Sequence, residues 1–215
     1  MGGRGAAYDI SQITNWLEHQ DAYVGAAMPI SLGDLPAGAG LGGIEDYIGS
    51  LGHEELFALD SDGNLVAAYR GTSHAVAFPA KLLSLKGGIV THSHPAGLEE
   101  FGATMSFADV GNMLASDWAE HRAVSTAGGR MSYSMRRGPG ADPAGLRRRM
   151  NRDIPGLNRQ WQETYKQVYT QQTAAGASRR EARHRARLRA VGIINAYYRR
   201  VMPEYGFTYT TRRTR

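Results

Sequence analysis

The chain is predicted to fold as an α/β (α+β) protein with a basic helical segment at its C-terminal end. Two observations lead there. Between residues 55 and 137, strand-like and helix-like stretches follow the order strand, strand, helix, strand, helix, strand, strand, which suits a sheet with helices against it and not a helical bundle. Beyond Pro143 the pattern changes to helical stripes rich in arginine.

The elements follow in order. After a Gly-rich start, ISQITNWLEHQDAYV reads as an amphipathic helix through Ile13, Trp16, Leu17 and Tyr23. Residues 29–52 are rich in Gly and Pro and read as a loop or linker with a short helix near Ile44–Ile48; a boundary falls near residue 50. ELFALDSDGNLVAAYRG places two apolar runs around Ser61-Asp62-Gly63-Asn64, turn residues that tolerate positive φ, so an antiparallel hairpin is expected. Pro79–Lys86 holds one or two helical turns, and GGIVTHSHP is a buried strand stopped by Pro95. SFADVGNMLASDWAEH is expected to be helical, with Phe107, Val110, Met113 or Leu114 and Trp118 near one face. RAVST and GRMSYSMRR resume strand character around Ala127-Gly128-Gly129.

In the last third, Leu157, Trp161, Tyr165 and Val168 form one helical stripe. Ser178 and Glu181 make a capping box ahead of a second helix through Leu188, Val191, Ile194, Tyr198 and Val201, which Pro203 ends. GFTYTTRRTR alternates weakly and either returns to the sheet edge or stays disordered. The organisation expected is an N-terminal helix and linker (1–50), a core (51–138) and a basic helical extension (139–215).

Composition narrows the chemistry. The 215 residues include seven His and no Cys, which excludes disulfides, thiolate metal sites and a Cys nucleophile and leaves His and carboxylates as metal ligands. Neither a signal peptide nor an apolar run long enough to span a membrane is readable, so the expectation is a cytoplasmic protein without membrane contact. Residues 1–129 carry five Lys/Arg against fifteen Asp/Glu, a net −10, whereas residues 130–215 carry twenty against five, a net +15. That division points the C-terminal part toward a polyanion, an acidic partner or the acidic half of its own chain.

On a strand, residues two apart share a face, so His92 and His94 present paired imidazoles while Ser93 points away. Asp109, in the first turn of the next helix, can add a carboxylate and leave a fourth position for water, the donor set of a hydrolytic zinc. Zinc acidifies its bound water to a pKa of about 7, and a nearby carboxylate then serves as general base. Glu55 at the edge of an apolar strand is the candidate, with Glu54 beside it as competitor. The Ser106 hydroxyl can donate to an oxyanion, or it can simply cap the helix, because Ser106-Phe107-Ala108-Asp109 also fits the capping pattern.

Together HEELFALD, THSHP and SFAD resemble the JAB/MPN (JAMM) zinc metallopeptidases: a Glu before an apolar strand, HxHP closing a strand, and SxxD opening a helix. ELFALDSDGNLVAAYRG also looks like the RadC branch of that superfamily. The resemblance covers roughly residues 50–137 and implies a cytidine-deaminase-like mixed sheet flanked by helices. It further implies zinc on His92, His94 and Asp109, Glu55 as general base, Ser106 as oxyanion stabiliser, and a protein or peptide substrate cut at a peptide or isopeptide bond, for instance in a ubiquitin-like conjugate. The loop after Pro95 is longer than the family's and carries Glu99 and Glu100, which bears on substrate preference.

The extension has no counterpart in the minimal family core. Arg147, Arg148, Arg149, Arg180, Arg183 and Arg187 are candidates for contact with nucleic acid or an acidic protein. A nucleic-acid-binding protein of RadC type, or an interaction module without turnover, are the competing readings. If the arginine helices lie over the acidic core, deleting 143–202 should free the site. The Gly-rich start and Arg-rich tail resemble in composition small proteins of phages and mobile elements.

Overall fold

The structure is a computed structural model and describes residues 28–32, 40–72, 76–94, 104–125 and 130–213. The helix expected over residues 10–24, Glu99, Glu100 and the turn at 127–129 lie outside the described residues.

A seven-stranded mixed sheet organises the molecule. Its strands are β1 (Met28–Pro29), β2 (Glu55–Leu59), β3 (Leu65–Arg70), β4 (Ile89–His94), β5 (Glu120–Ser125), β6 (Met131–Arg137) and β7 (Phe207–Arg213), in the spatial order β1-β3-β2-β4-β5-β6-β7. All neighbours are antiparallel except β4 and β5, which run parallel. A parallel pair needs a crossover, and helix α3 (Phe107–Ala115) lies within it. The other helices are α1 (Leu41–Ile48), the single turn α2 (Ala80–Leu83), α4 (Pro143–Ala174) and α5 (Arg179–Val201).

Strand alternation sorts the side chains into two layers. Leu56 and Ala58 of β2, Val90 of β4, Ala123 of β5 and Tyr133 and Met135 of β6 face α3, α4 and α5 and join one apolar cluster with Phe107, Val110, Leu146, Met150, Ile154, Ile194 and Tyr198. Phe57, Leu59, Ala68 and Val124 face the other way and pack with Ile44 and Ile48 of α1. Residues from the segment beyond Pro143 therefore share the cluster that covers the central strands.

Local chemistry explains the elements. In the β2–β3 turn the Asp60 carboxylate accepts from the backbone N–H groups of Asp62 and Asn64 at 3.0 and 2.8 Å, and Gly63 takes φ 85°, which a side chain would resist. Helix α3 is shorter than expected: it stops at Ala115, and the residues through His121 leave it. Trp118 is fully buried and donates its indole N–H to the Leu82 carbonyl at 2.5 Å, while the Ser116 hydroxyl donates to the Met113 carbonyl at 3.1 Å. Burying that large ring outweighs continuing the helix, and Glu120 and His121 enter β5 instead. Helix α4 runs through Pro155, which removes one backbone donor from the ladder. The Ser178–Glu181 capping box opens α5, and the C-terminal residues return as edge strand β7 beside β6.

On the α1 face a buried ionic network ties helix to sheet. The Arg122 guanidinium donates to both Glu45 oxygens at 2.5 and 3.0 Å and to Glu120 at 2.6 Å, and Arg136 completes Glu120 at 2.8 Å. Each carboxylate is answered by at least one guanidinium, as buried charges require.

Candidate metal centre

The site forms where β4 ends and α3 begins. Val90, His92 and His94 share the α3 face of β4, and the next strand adds His121, whose register partner is Val90. His92 Nδ1 donates to the Arg122 carbonyl at 2.9 Å, which leaves the Nε2 lone pair free for a ligand. His92 Nε2 stands 2.8 Å from His94 Nε2 and 3.2 Å from Asp109 Oδ1, and His94 Nε2 stands 3.5 Å from Asp109 Oδ2. One carboxylate oxygen of Asp109 thus faces each imidazole, and nitrogen and oxygen donors converge at spacings near the roughly 3.3 Å that separates ligands of a tetrahedral zinc. All three side chains are buried.

Asp109 is held in place by Ser106. The Ser106 backbone N–H and hydroxyl both donate to Asp109 Oδ2, at 2.7 and 2.8 Å, and the Asp109 N–H donates back to the hydroxyl at 3.0 Å. The pattern is a capping box at the start of α3, and it leaves Oδ1 turned to His92. Burial alone would raise the Asp109 pKa, but the His92 and His94 imidazoles more than offset it and hold the carboxyl well below its usual range.

His121 is the residue that sequence reading passed over. Fully buried, it donates Nδ1–H to the Asp109 carbonyl at 2.9 Å, and its Nε2 has no partner among the described residues. Burial, followed by the neighbouring His92, pushes its pKa down to about 3, so the ring is neutral. His92, Asp109 and His121 form a buried group that can hold a metal ion, with donor atoms within 4.8 Å of one another. His94 Nε2 lies beside His92 Nε2 and Asp109 as well, so the expected ligands His92, His94 and Asp109 come together with His121, which uses Nδ1 on a backbone carbonyl as His92 does and keeps Nε2 toward the cluster. Phe78 and Trp118 wall the cluster, with ring centroids 5.3 and 5.1 Å from His121.

The two neighbouring glutamates lie on opposite faces of the sheet. Leu56 pairs with His92 in the antiparallel β2–β4 register; continuing it sets Glu55 opposite Ser93 and Glu54 opposite His94. The Glu55 N–H donates to Ser93 Oγ at 3.0 Å, and the Glu55 carboxylate meets Arg70 at 2.9 Å and His53 at 2.8 Å on the α1 face. Glu55, expected as the base, is thus turned away from the imidazoles. Glu54 is on their side: buried, it accepts from the Val76 N–H and feels both His94 and Asp109, and burial raises its pKa to about 7.

The folded Glu54 value of about 7 lies above the ordinary 4.5, so between these pH values the folded protein keeps a proton that the unfolded chain has released. Stability of the metal-free protein accordingly falls as pH rises through this window. A Glu54→Gln variant lacks that penalty. In urea unfolding with chelator present, its advantage over wild type is expected to grow by roughly 3 kcal/mol between pH 4.5 and 8; a pH-independent difference would contradict the buried setting of Glu54.

Comparisons with protein-family models, with curated proteins and with solved structures find no match for this chain.

The six arginine candidates lie on α4 and α5, apart from this constellation in sequence. Arg149 pairs with Asp153 at 2.5 Å and with Glu204 at 3.4 Å, so it serves the fold. Arg148, Arg180 and Arg183 are exposed, and Arg147 and Arg187 are half-buried. No helix among the described residues is long and apolar enough to cross a membrane.

Proposed function

We propose that the chain is a zinc-dependent hydrolase of the JAB/MPN (JAMM) type, with a mixed sheet of that kind at its core, which cleaves a peptide or isopeptide bond in an extended protein tail. The observation that carries this reading is the placement of Glu54 across from His94, beside the convergent nitrogens and carboxylate of His92, His94 and Asp109.

Two imidazoles and one carboxylate suit zinc, and they leave a position open. Bound there, the ion supplies Lewis acidity and brings the pKa of a water molecule toward neutrality. The chain's own residues do the rest. Glu54, with a carboxyl balanced near neutral pH, takes a proton from the attacking water and returns it to the leaving amine. Phe78 beside His92 and His121, and Trp118 beside His121, lower the local polarity, which strengthens charge interactions around these imidazoles. Ser106 gives its hydroxyl hydrogen to Asp109, so in this reading it is a positioning residue; the oxyanion role expected of it requires that hydroxyl to turn away from the carboxylate.

The test is hydrolysis of quenched extended peptides and of a lysine-linked isopeptide by the zinc-loaded protein, with Glu54→Gln as control. Cleavage that depends on Glu54 supports the reading; a zinc-loaded, folded protein inert toward both bond types contradicts it.

A further inference from the structure

The α4–α5 hairpin divides into two parts. The proximal part packs on the sheet through Leu146, Met150, Ile154 and Leu157 of α4 and Val191, Ile194, Tyr198 and Val201 of α5. Beyond Leu157, α4 buries no further side chain, and before Val191 the buried residues of α5 are Ala182, Ala186 and Ala190. Trp161, Tyr165 and Tyr169, four residues apart, form a ladder of half-buried rings with planes within 8° of parallel and centroids 5.5 and 6.1 Å apart. A row of small residues on α5 and a row of flat rings on α4, begun by Trp161 against the core cluster, make a two-helix arm whose α4 limb, Asn158–Ala174, is about 25 Å long at the helical rise.

That arm is strongly basic. Residues 158–190 hold eight Lys/Arg against two Asp/Glu, and seven of the eight cations are arginine. Arg180, Arg183 and Arg187 are three and four residues apart and share one flank of α5, while Arg185 and Arg189 share the other. The ion pairs of the proximal part consume Arg149 and Arg152, yet among the described residues no carboxylate forms an ion pair with Arg179, Arg180, Arg183 or Arg189. Glu181 is engaged by its own capping box with Ser178, and Arg185 donates to the neutral Gln172 at 2.6 Å.

We propose that this arm binds nucleic acid by its phosphate backbone, through Arg180, Arg183 and Arg187 on one flank and Arg185 and Arg189 on the other. This does not rest on the hydrolase reading. An ordinary solvated helix face mixes Lys with Glu; a near-pure arginine surface with little acid to balance it calls for dense external negative charge. Duplex nucleic acid supplies one charge per about 1.7 Å of its axis, and the planar guanidinium matches a phosphate by two parallel hydrogen bonds. Ring planes as close as those of the ladder leave no room for a base between them, so contact is to phosphates and binding is not selective for sequence.

The experiment is fluorescence anisotropy of the full chain with a labelled 20-nucleotide single strand and the corresponding duplex, titrated over a range of salt. Five phosphate contacts on duplex give a slope of log affinity against log salt of about −4.5. The Arg180→Gln, Arg183→Gln, Arg187→Gln variant is expected to make that slope shallower by about 2.7 and to weaken binding at least about tenfold, in a protein that still unfolds cooperatively. Arg185→Gln with Arg189→Gln tests the second flank independently and should remove about 1.8 from the slope. Binding to either form supports the proposal, and their ratio names the preferred one. No binding at low salt, or slopes unaltered in both variants, would overturn it. So would equal competition by a polyglutamate peptide of the same charge, which would assign the arm to an acidic protein.

Discussion

Replacing Glu54 by Gln is expected to reduce turnover by about two to four orders of magnitude while leaving metal content unchanged, the loss typical of removing a general base. Gln keeps the shape and the hydrogen bond from the Val76 N–H but cannot carry a proton from water to leaving group. Glu55→Gln separates chemistry from structure. Glu55 is fully buried against Arg70 and His53 on the far face, so its replacement should cost about 1–3 kcal/mol of stability and leave kcat within a few-fold. The measurement is kcat and KM for both variants beside their unfolding free energies. An inactive Glu55 variant with an active Glu54 variant would return the base to Glu55 and contradict the register argument.

The second large effect concerns the C-terminal third. Ending the chain after Asp142 is expected to abolish folding, not to free the site. The lost segment supplies Leu146, Met150, Ile154, Leu157, Ile194, Tyr197, Tyr198, Val201, Met202, Phe207 and Tyr209 to the main cluster. At about 1.5–3 kcal/mol for each buried side chain, that exceeds the 5–15 kcal/mol of net stability that domains possess. It also removes β7 from the sheet edge, and with it the brace on the site: Tyr198 packs edge-on against Phe107 at 5.8 Å, and Asn195 accepts from the Thr104 hydroxyl at 2.7 Å, two residues before Ser106. Circular dichroism and a urea titration of the truncated chain check this. A cooperative transition would show that residues up to 142 fold alone.

How much could be read from residues alone depended on whether the signal was local. The β2–β3 hairpin was legible because Asp60 to Asn64 carries its own turn chemistry, and β4 because its apolar run ends in HxHP. The Ser178–Glu181 cap was legible for the same reason. Register was not: whether Glu54 or Glu55 faces His94 depends on how β2 aligns with a strand more than thirty residues away, and a slip of one residue exchanges the faces. His121 was hidden for a related reason. A helical reading through Trp118 put it on the end of α3, whereas the buried indole draws the chain into β5 and sets His121 behind Asp109. The share of the C-terminal helices in the central core was masked by their arginines, which dominate the composition while Leu146, Met150 and Ile154 do the packing.

Elemental analysis of the purified protein decides whether His92, His94 and Asp109 hold a metal ion. About one zinc per chain, lost when His92 and His94 are both replaced by Ala in a protein that still unfolds cooperatively, is the result expected from a single N,N,O triad. A folded wild-type protein that contains no metal, and takes up none on dialysis against zinc, would rule out a zinc site on these residues.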